Sequence, residues 1–131
     1  MTAYTKFRAW DKENSRMVYP STDDVYFEVT DDGIDILDMS VEPFDDVFPH
    51  LDAVVMQSTN RKDYKHPERD IIQGDIVEDS TGTKYIVRYN EDFGANWLYL
   101  KENLHMGFHP DINLTVVGNE YENPELLEVE K

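Results

Sequence analysis

The sequence predicts a mainly β protein, with N-terminal β-hairpins, a small curled barrel in its C-terminal part and a short C-terminal helix. Three observations carry this. Short apolar runs alternate with polar residues at the period of a strand, turn residues separate those runs at short intervals, and most periodic runs have strand rather than helix spacing. The chain has 131 residues, 40% hydrophobic and 12% aromatic, which suits a single domain (residues 1–131) able to bury a core. Within it, residues 1–52 read as hairpins with an acidic segment, and residues 53–131 as the barrel portion with the terminal helix.

The elements follow in order. Tyr4 to Trp10 alternates, with Phe7 and Ala9 on one face and Lys6 and Arg8 on the other, and predicts the first strand. The polar turn Asp11–Ser15 returns the chain through Arg16-Met17-Val18-Tyr19, which Pro20 ends. Val25, Phe27 and Val29 alternate with Tyr26 and Glu28, and Ile34 and Ile36 alternate with Asp35. Between these runs, Asp31-Asp32-Gly33 is a turn that accepts positive φ. From Ser40 to Leu51, the spacing of Val41, Phe44, Val47, Phe48 and Leu51 is that of a helix limited by Pro43 and Pro49.

Ala53 to Gln57 reads as a buried strand, followed by a long polar loop from Ser58 to Asp70. Ile76-Val77, Tyr85–Tyr89, Trp97–Leu100 and Leu114–Val117 then recur at the spacing of a meander. Turns fall at Thr81-Gly82, at Phe93-Gly94 and at Gly107 with Pro110. Several short strands in a chain this size suggest the curled barrel. Asn123 as N-cap, Pro124 at the first position and Glu125 in the first turn predict a terminal helix of one to two turns. Such a helix is too short to stand alone, so Leu126 and Leu127 are expected to dock on the barrel or on a neighbouring subunit.

Charge is the strongest compositional signal. Against 12 Lys and Arg stand 28 acids, a formal net charge of −16. Between Met17 and Asn60 there is no Lys or Arg, while Asp23, Asp24, Glu28, Asp31, Asp32, Asp35, Asp38, Glu42, Asp45, Asp46 and Asp52 all lie there. A field of this sign repels nucleic acid and steers basic surfaces. The first ten of these carboxylates are the candidate partner-binding face, and direct binding to DNA or RNA is not expected. The cations of Arg61-Lys62-Asp63-Tyr64-Lys65-His66 are interleaved with acids and read as a solvated loop, or as a clamp onto another subunit's acidic face.

Three separated blocks resemble the YopX family of phage and prophage proteins. They are Lys6-Phe7-Arg8-Ala9-Trp10-Asp11 with Met17 following, Val55-Met56-Gln57-Ser58-Thr59 with the later Gly74-Asp75-Ile76-Val77, and Val117 through Leu127. The resemblance implies a mainly β protein whose C-terminal part is an SH3-like barrel, a homo-oligomer, and no known catalytic residues. Two positions depart from the family pattern. Asn60 stands where Gly is usual, and Asn tolerates the left-handed conformation such a turn requires. The loop Tyr64–Asp70 replaces a turn usually richer in Gly and Asn.

Read from the residues alone, Gly74-Asp75 is a turn feeding a buried strand, and Trp10 caps the open end of the barrel rather than offering a binding platform. His105 and His109 stand four apart, a zinc spacing on a helix, but Gly107 and Pro110 argue against that helix, so no metal is expected. The chain lacks cysteine, and no calcium-loop, nucleophile-elbow or phosphate-loop motif occurs. No enzyme and no cofactor is expected. No segment reaches the roughly 18 apolar residues of a membrane span, and no signal peptide is read, so a cytoplasmic location in the host cell is expected. Together with the phage resemblance, these features point to an acidic protein-binding factor. In that reading it is an anti-defence inhibitor of the anti-CRISPR kind, which blocks the nucleic-acid groove of a basic host enzyme by charge mimicry. The alternative is a homo-oligomeric assembly module without enzymatic activity.

Overall fold

The computed structural model describes residues 6–100, 103–108 and 112–127. Among them are eleven strands and one 3-10 turn, so the protein is mainly β. The expectations for Tyr4 and Thr5 in the first strand, and for His109 and Pro110, lie outside the described residues. Two compact units form, one from Phe7–Met56 and one from Met1–Lys6 with Gln57–Lys131.

The Phe7–Met56 unit contains β1 (Phe7–Asp11), β2 (Arg16–Val18), β3 (Val25–Thr30), β4 (Gly33–Asp38) and the first half of β5 (Ala53–Lys62). β1 and β2 form the expected hairpin, with Trp10 opposite Met17 and Asp11 opposite Arg16. β3 and β4 form the second, in full register from Val25 opposite Asp38 to Thr30 opposite Gly33. Ala9, Val18, Val25 and Ile36 are its buried core, and Phe27, Ile34, Leu51, Ala53 and Val55 pack against them. The alternation that marked these runs in the sequence is therefore the alternation of core and solvent faces. Arg8, on the face opposite Phe7 and Ala9, is also buried, on a strand flanked by β2 and β5.

The helix expected between Ser40 and Leu51 is absent. The chain instead returns beside β4, with Leu37 bridged to His50. The Asp38 amide donates to the Pro49 carbonyl, and the Leu51 amide to the Ile36 carbonyl, each at 2.8 Å. Pro43 and Pro49 remove the amides a helix needs, and pairing with β4 satisfies the backbone that remains.

In the other unit, the second half of β5 pairs with β6 (Asp70–Ile72). β7 (Asp75–Glu78), β8 (Lys84–Asn90), β9 (Ala95–Leu100), β10 (Asn103–Gly107) and β11 (Thr115–Asn119) form an antiparallel sheet in the order β10-β9-β8-β7-β11. Register shifts between Leu104 and Met106 and between Val116 and Gly118 mark bulges, which curl a sheet. Ile71, Val77, Tyr85, Val87, Leu98, Leu114 and Val116 are its core.

The loop expected to begin at Ser58 begins later. β5 continues through Lys62 across a register shift between Ser58 and Arg61. Asn60 takes φ 65° there, the left-handed conformation expected of it. The Ser58 and Thr59 hydroxyls accept from the amides of Asn60 and Arg61, respectively, so this polar stretch satisfies its own backbone while bulging.

The terminal helix is present at the short end of the expected one to two turns, as a 3-10 turn of Pro124–Leu127 that touches β8. Asn123 does not cap it as predicted. Its Oδ1 accepts from the Asn119 amide at 3.1 Å, which ties the turn back to the end of β11. The docking expected of Leu126 is observed: it packs over Gly118, with Cδ1 2.9 Å from where a Cβ would stand.

Candidate functional site

The ten candidate carboxylates fall into four places. Asp31 and Asp32 are exposed at the tip of the β3–β4 hairpin. There Gly33, at φ 131°, supplies the left-handed freedom. The Thr30 hydroxyl accepts from the Asp32 amide at 3.2 Å and donates to the Gly33 carbonyl at 3.1 Å, which fixes the turn. Midway along the ladder, Glu28 is the direct cross-strand partner of Asp35. Both lie on the face opposite the core side chains Phe27 and Ile36, which alternation along each strand requires.

At the base of the same hairpin, Asp24 and Asp38 line a cleft of about 310 Å³ with Asn14, Arg16, Ser40 and Leu51. Here the charge is partly neutralised. Arg16 pairs through Nη2 with Asp24 and through Nε with Asp11, each at 3.2 Å, and these hydrogen bonds push its pKa above the ordinary value. Asp38 accepts from the Ser40 amide and hydroxyl. Asp23 is exposed beside this cleft in sequence. At a rise of about 3.3 Å per residue, the six residues from tip to base span on the order of 20 Å.

The fourth place is the segment between β4 and the returning chain. Phe44 and Val47 form an isolated bridge, with amide-to-carbonyl bonds of 3.0 and 2.9 Å in both directions. The two residues that close it, Asp45 and Asp46, have φ 54° and 65°. Positive φ at both central positions is what a two-residue type I′ hairpin requires, usually supplied by Asn-Gly. Two aspartates there hold a conformation that costs about 1 kcal/mol each. Glu42, two residues before the bridge, is exposed. Among the described residues no Lys or Arg pairs with Asp23, Glu28, Asp31, Asp32, Asp35, Glu42, Asp45 or Asp46. Sequence reasoning therefore located the carboxylates. It grouped as one face what the fold distributes over a hairpin face, a tip, a cleft and a second turn.

A separate class of carboxylates was not anticipated. Asp11, Asp63, Asp70 and Asp75 are buried. Asp11 accepts from the amides of Glu13 and Asn14, from Asn14 Nδ2 and from Arg16 Nε. Burial pushes its pKa up, but the hydrogen bonds from Asn14, Arg16 and Glu13 outweigh that and hold it below the ordinary value. Asp70 lies between Lys6 at 3.2 Å and Lys62 at 2.7 Å, and accepts from the Ser58 hydroxyl. Asp75 accepts from the Ile72 amide at 2.8 Å, closing a turn in which Gly74 takes φ 91°. Asp63 accepts from the Lys65 and Val116 amides. The signal available in the sequence was local: an Asp two or three residues before or after a turn is the residue type that satisfies turn amides.

The remaining candidates are placed as follows. His105 lies on β10, with its ring centroid 5.4 Å from that of Tyr85. Among the described residues, no three His, Asp or Glu side chains are grouped so as to hold a metal ion. No described helix is long and apolar enough to cross a membrane. A second cleft, of about 410 Å³, is lined by Tyr64, Lys65, Asp79, Ser80, Asn113 and Thr115 among others. Asp79 in its wall is engaged by Thr81, Thr83 and the Tyr85 hydroxyl.

Compared with known protein families, residues 6–128 match YopX protein. The chain belongs to the YopX family. Two crystal structures are similar along their whole length. Protein EF1440 from Enterococcus faecalis shares 26% identity at a TM-score of 0.57, covering 97% of this chain and 100% of that one. Protein yopX from Bacillus subtilis shares 19% identity at a TM-score of 0.58, covering 96% and 100%. No curated protein sequence matches the chain.

The residues that carry the YopX resemblance have structural work. Asp11 closes a hairpin and Gly74-Asp75 a turn, as above. In the last block, the Asn119 side chain accepts from the Tyr121 and Glu122 amides and donates to Glu122. Glu120 accepts from Arg88, at 2.6 Å from Nη2, and the Arg88 guanidinium sits 5.6 Å from the centre of the Tyr99 ring. Turns, buried carboxylates and a docked terminus thus account for these blocks, whereas the exposed carboxylates of residues 17–60 satisfy little of the fold.

Proposed function

We propose that this member of the YopX family is a non-enzymatic protein-binding factor whose acidic Phe7–Met56 unit engages a basic surface of a host protein, acting as an anti-defence inhibitor on the nucleic-acid groove of its target. The observation that carries this reading is the Glu28–Asp35 pair. Like charges placed directly opposite on a ladder destabilise it, and nothing in the unit's own hydrogen bonding uses these two carboxylates. A cationic groove offsets their repulsion and replaces its own phosphate contacts with carboxylates on a paired β scaffold. Exposed contacts contribute about 0.2–1 kcal/mol each, so affinity has to come from several acting together.

The test is affinity purification of the tagged protein from host cells, followed by measurement of the purified partner's binding at low and high salt. The expected partner is a basic nucleic-acid-binding enzyme. Its capture should weaken as salt rises, compete with nucleic acid, and fall at least tenfold when Glu28, Asp31, Asp32 and Asp35 are replaced by Lys together. Equal affinity of the folded quadruple variant at both salt concentrations sinks the reading.

A further inference from the structure

The acidic unit carries one apolar feature that its fold leaves unused. Phe44 is 81% exposed and Val47 64%, although both are large hydrophobic residues. They are paired across a two-residue turn, so their side chains project on the same side of a miniature hairpin. Val41 and Met39, on the way to this turn, are also exposed. The segment contributes nothing to either hydrophobic core before Leu51. Scattered exposed apolar residues require no explanation, but here four fall within nine residues, with Phe44 flanking the Asp45-Asp46 turn.

The turn is also closed by its own backbone. Pro43 precedes Phe44, two backbone hydrogen bonds close the bridge, and the chain on the far side is bound to β4 at His50. An aromatic side chain held in this way loses little conformational freedom when it enters a pocket, which is how interface anchors gain affinity. Its surroundings name the chemistry of that pocket. Asp45 and Asp46 stand beside Phe44, Glu42 two residues before it, and no Lys or Arg occurs between residues 17 and 60. An acidic pocket rim meets repulsion from these carboxylates and a neutral one desolvates them without compensation, whereas a Lys- or Arg-bearing rim is attracted.

We infer that the Phe44–Val47 turn is an anchor that inserts into an apolar pocket rimmed by Lys or Arg on the partner protein. The anchor rests on the proposed protein-binding function and adds to it a site of different chemistry. Charge on the β3–β4 hairpin steers the encounter, while Phe44 sets how long the complex lasts.

The experiment places a photo-crosslinking phenylalanine analogue at position 44 of the full chain, and in a parallel sample at position 89. Tyr89 is 51% exposed on β8, outside the acidic unit, and serves as an aromatic control. Crosslinking is done in host cells, the adducts are mapped to partner residues by mass spectrometry, and the partner is then purified for binding measurements with Phe44→Ala, Phe44→Asp and Tyr89→Asp. The expected result is one partner crosslinked from position 44, at apolar residues bordered by Lys or Arg. Phe44→Ala should speed dissociation at least tenfold with little change in association rate, Phe44→Asp should bind more weakly still, and Tyr89→Asp should bind as the parent does. Crosslinks from position 44 only to another copy of this chain, to many proteins as efficiently as from position 89, or to none overturn the anchor. So does a partner whose dissociation is unchanged by Phe44→Asp. If Phe44→Asp binds normally while the four-Lys variant does not, the anchor fails and the acidic-face function stands. If neither variant weakens binding, both fail.

Discussion

Glu28 and Asp35 face each other across the β3–β4 ladder on the side away from the core, and among the described residues no Lys or Arg pairs with either. Relieving this repulsion should stabilise the free protein. Glu28→Lys is expected to raise unfolding stability by about 0.5 kcal/mol through an opposite-charge pair with Asp35, read as a higher urea midpoint at unchanged slope. The same substitution should weaken partner binding, a trade that a purely solubilising surface does not make.

Screening should act in the same direction. With a net charge of −16, the melting temperature is expected to rise between low salt and about 0.15 M salt, where the Debye length falls to about 8 Å. The four-Lys variant, eight charge units less negative, should show a smaller rise in the same melting series.

Acid should act through Asp11. Its pKa in the folded protein is lowered, so its contribution is present above the unfolded value and is lost as pH falls through the folded one. Asp11→Asn is expected to cost about 2 kcal/mol at neutral pH, since it loses a charge-assisted bond to Arg16. The cost should shrink at pH 3 and below, which denaturant titrations across that range will show.

Gly118→Ala tests the docked terminus. The added Cβ would stand 2.6 Å from Asn123 Oδ1 and 2.9 Å from Leu126 Cδ1. Displacing that turn should cost about 1–3 kcal/mol. Gly107, whose Cβ would meet nothing within 4 Å, is the control: Gly107→Ala should change the melting temperature little.

The mainly β class was legible because Val25, Phe27, Ile34 and Ile36 alternate with polar residues, and burial on one face of a hairpin requires that pattern. Gly33 and Asn60 announced left-handed positions because few residue types tolerate them. The acidic stretch was legible for a simpler reason: charge is a property of composition and does not wait for a fold. Short elements were hidden. β10 carries Asn103 and Gly107 at its ends, and β6 is three residues; both are held by neighbours rather than by propensity.

Sequence alone thus determined the alternation, the turns that need Gly or Asn, the charge and the YopX membership, since each is written in residue type and spacing. Only the tertiary structure decided which carboxylates are scaffold and which are free. Asp11 and Asp70 are chemically identical to Asp31 and Asp45, and only the placement of turn amides, Arg16 and the two lysines around the first pair separates them. It also decided the fate of Ser40–Leu51. The helical spacing of Val41, Phe44 and Val47 is real in the sequence, but the open edge of β4 offered its carbonyls and amides to a chain whose prolines lack the amides a helix needs. Long-range backbone pairing outweighed local periodicity there, and it left Phe44 exposed at the end of a turn.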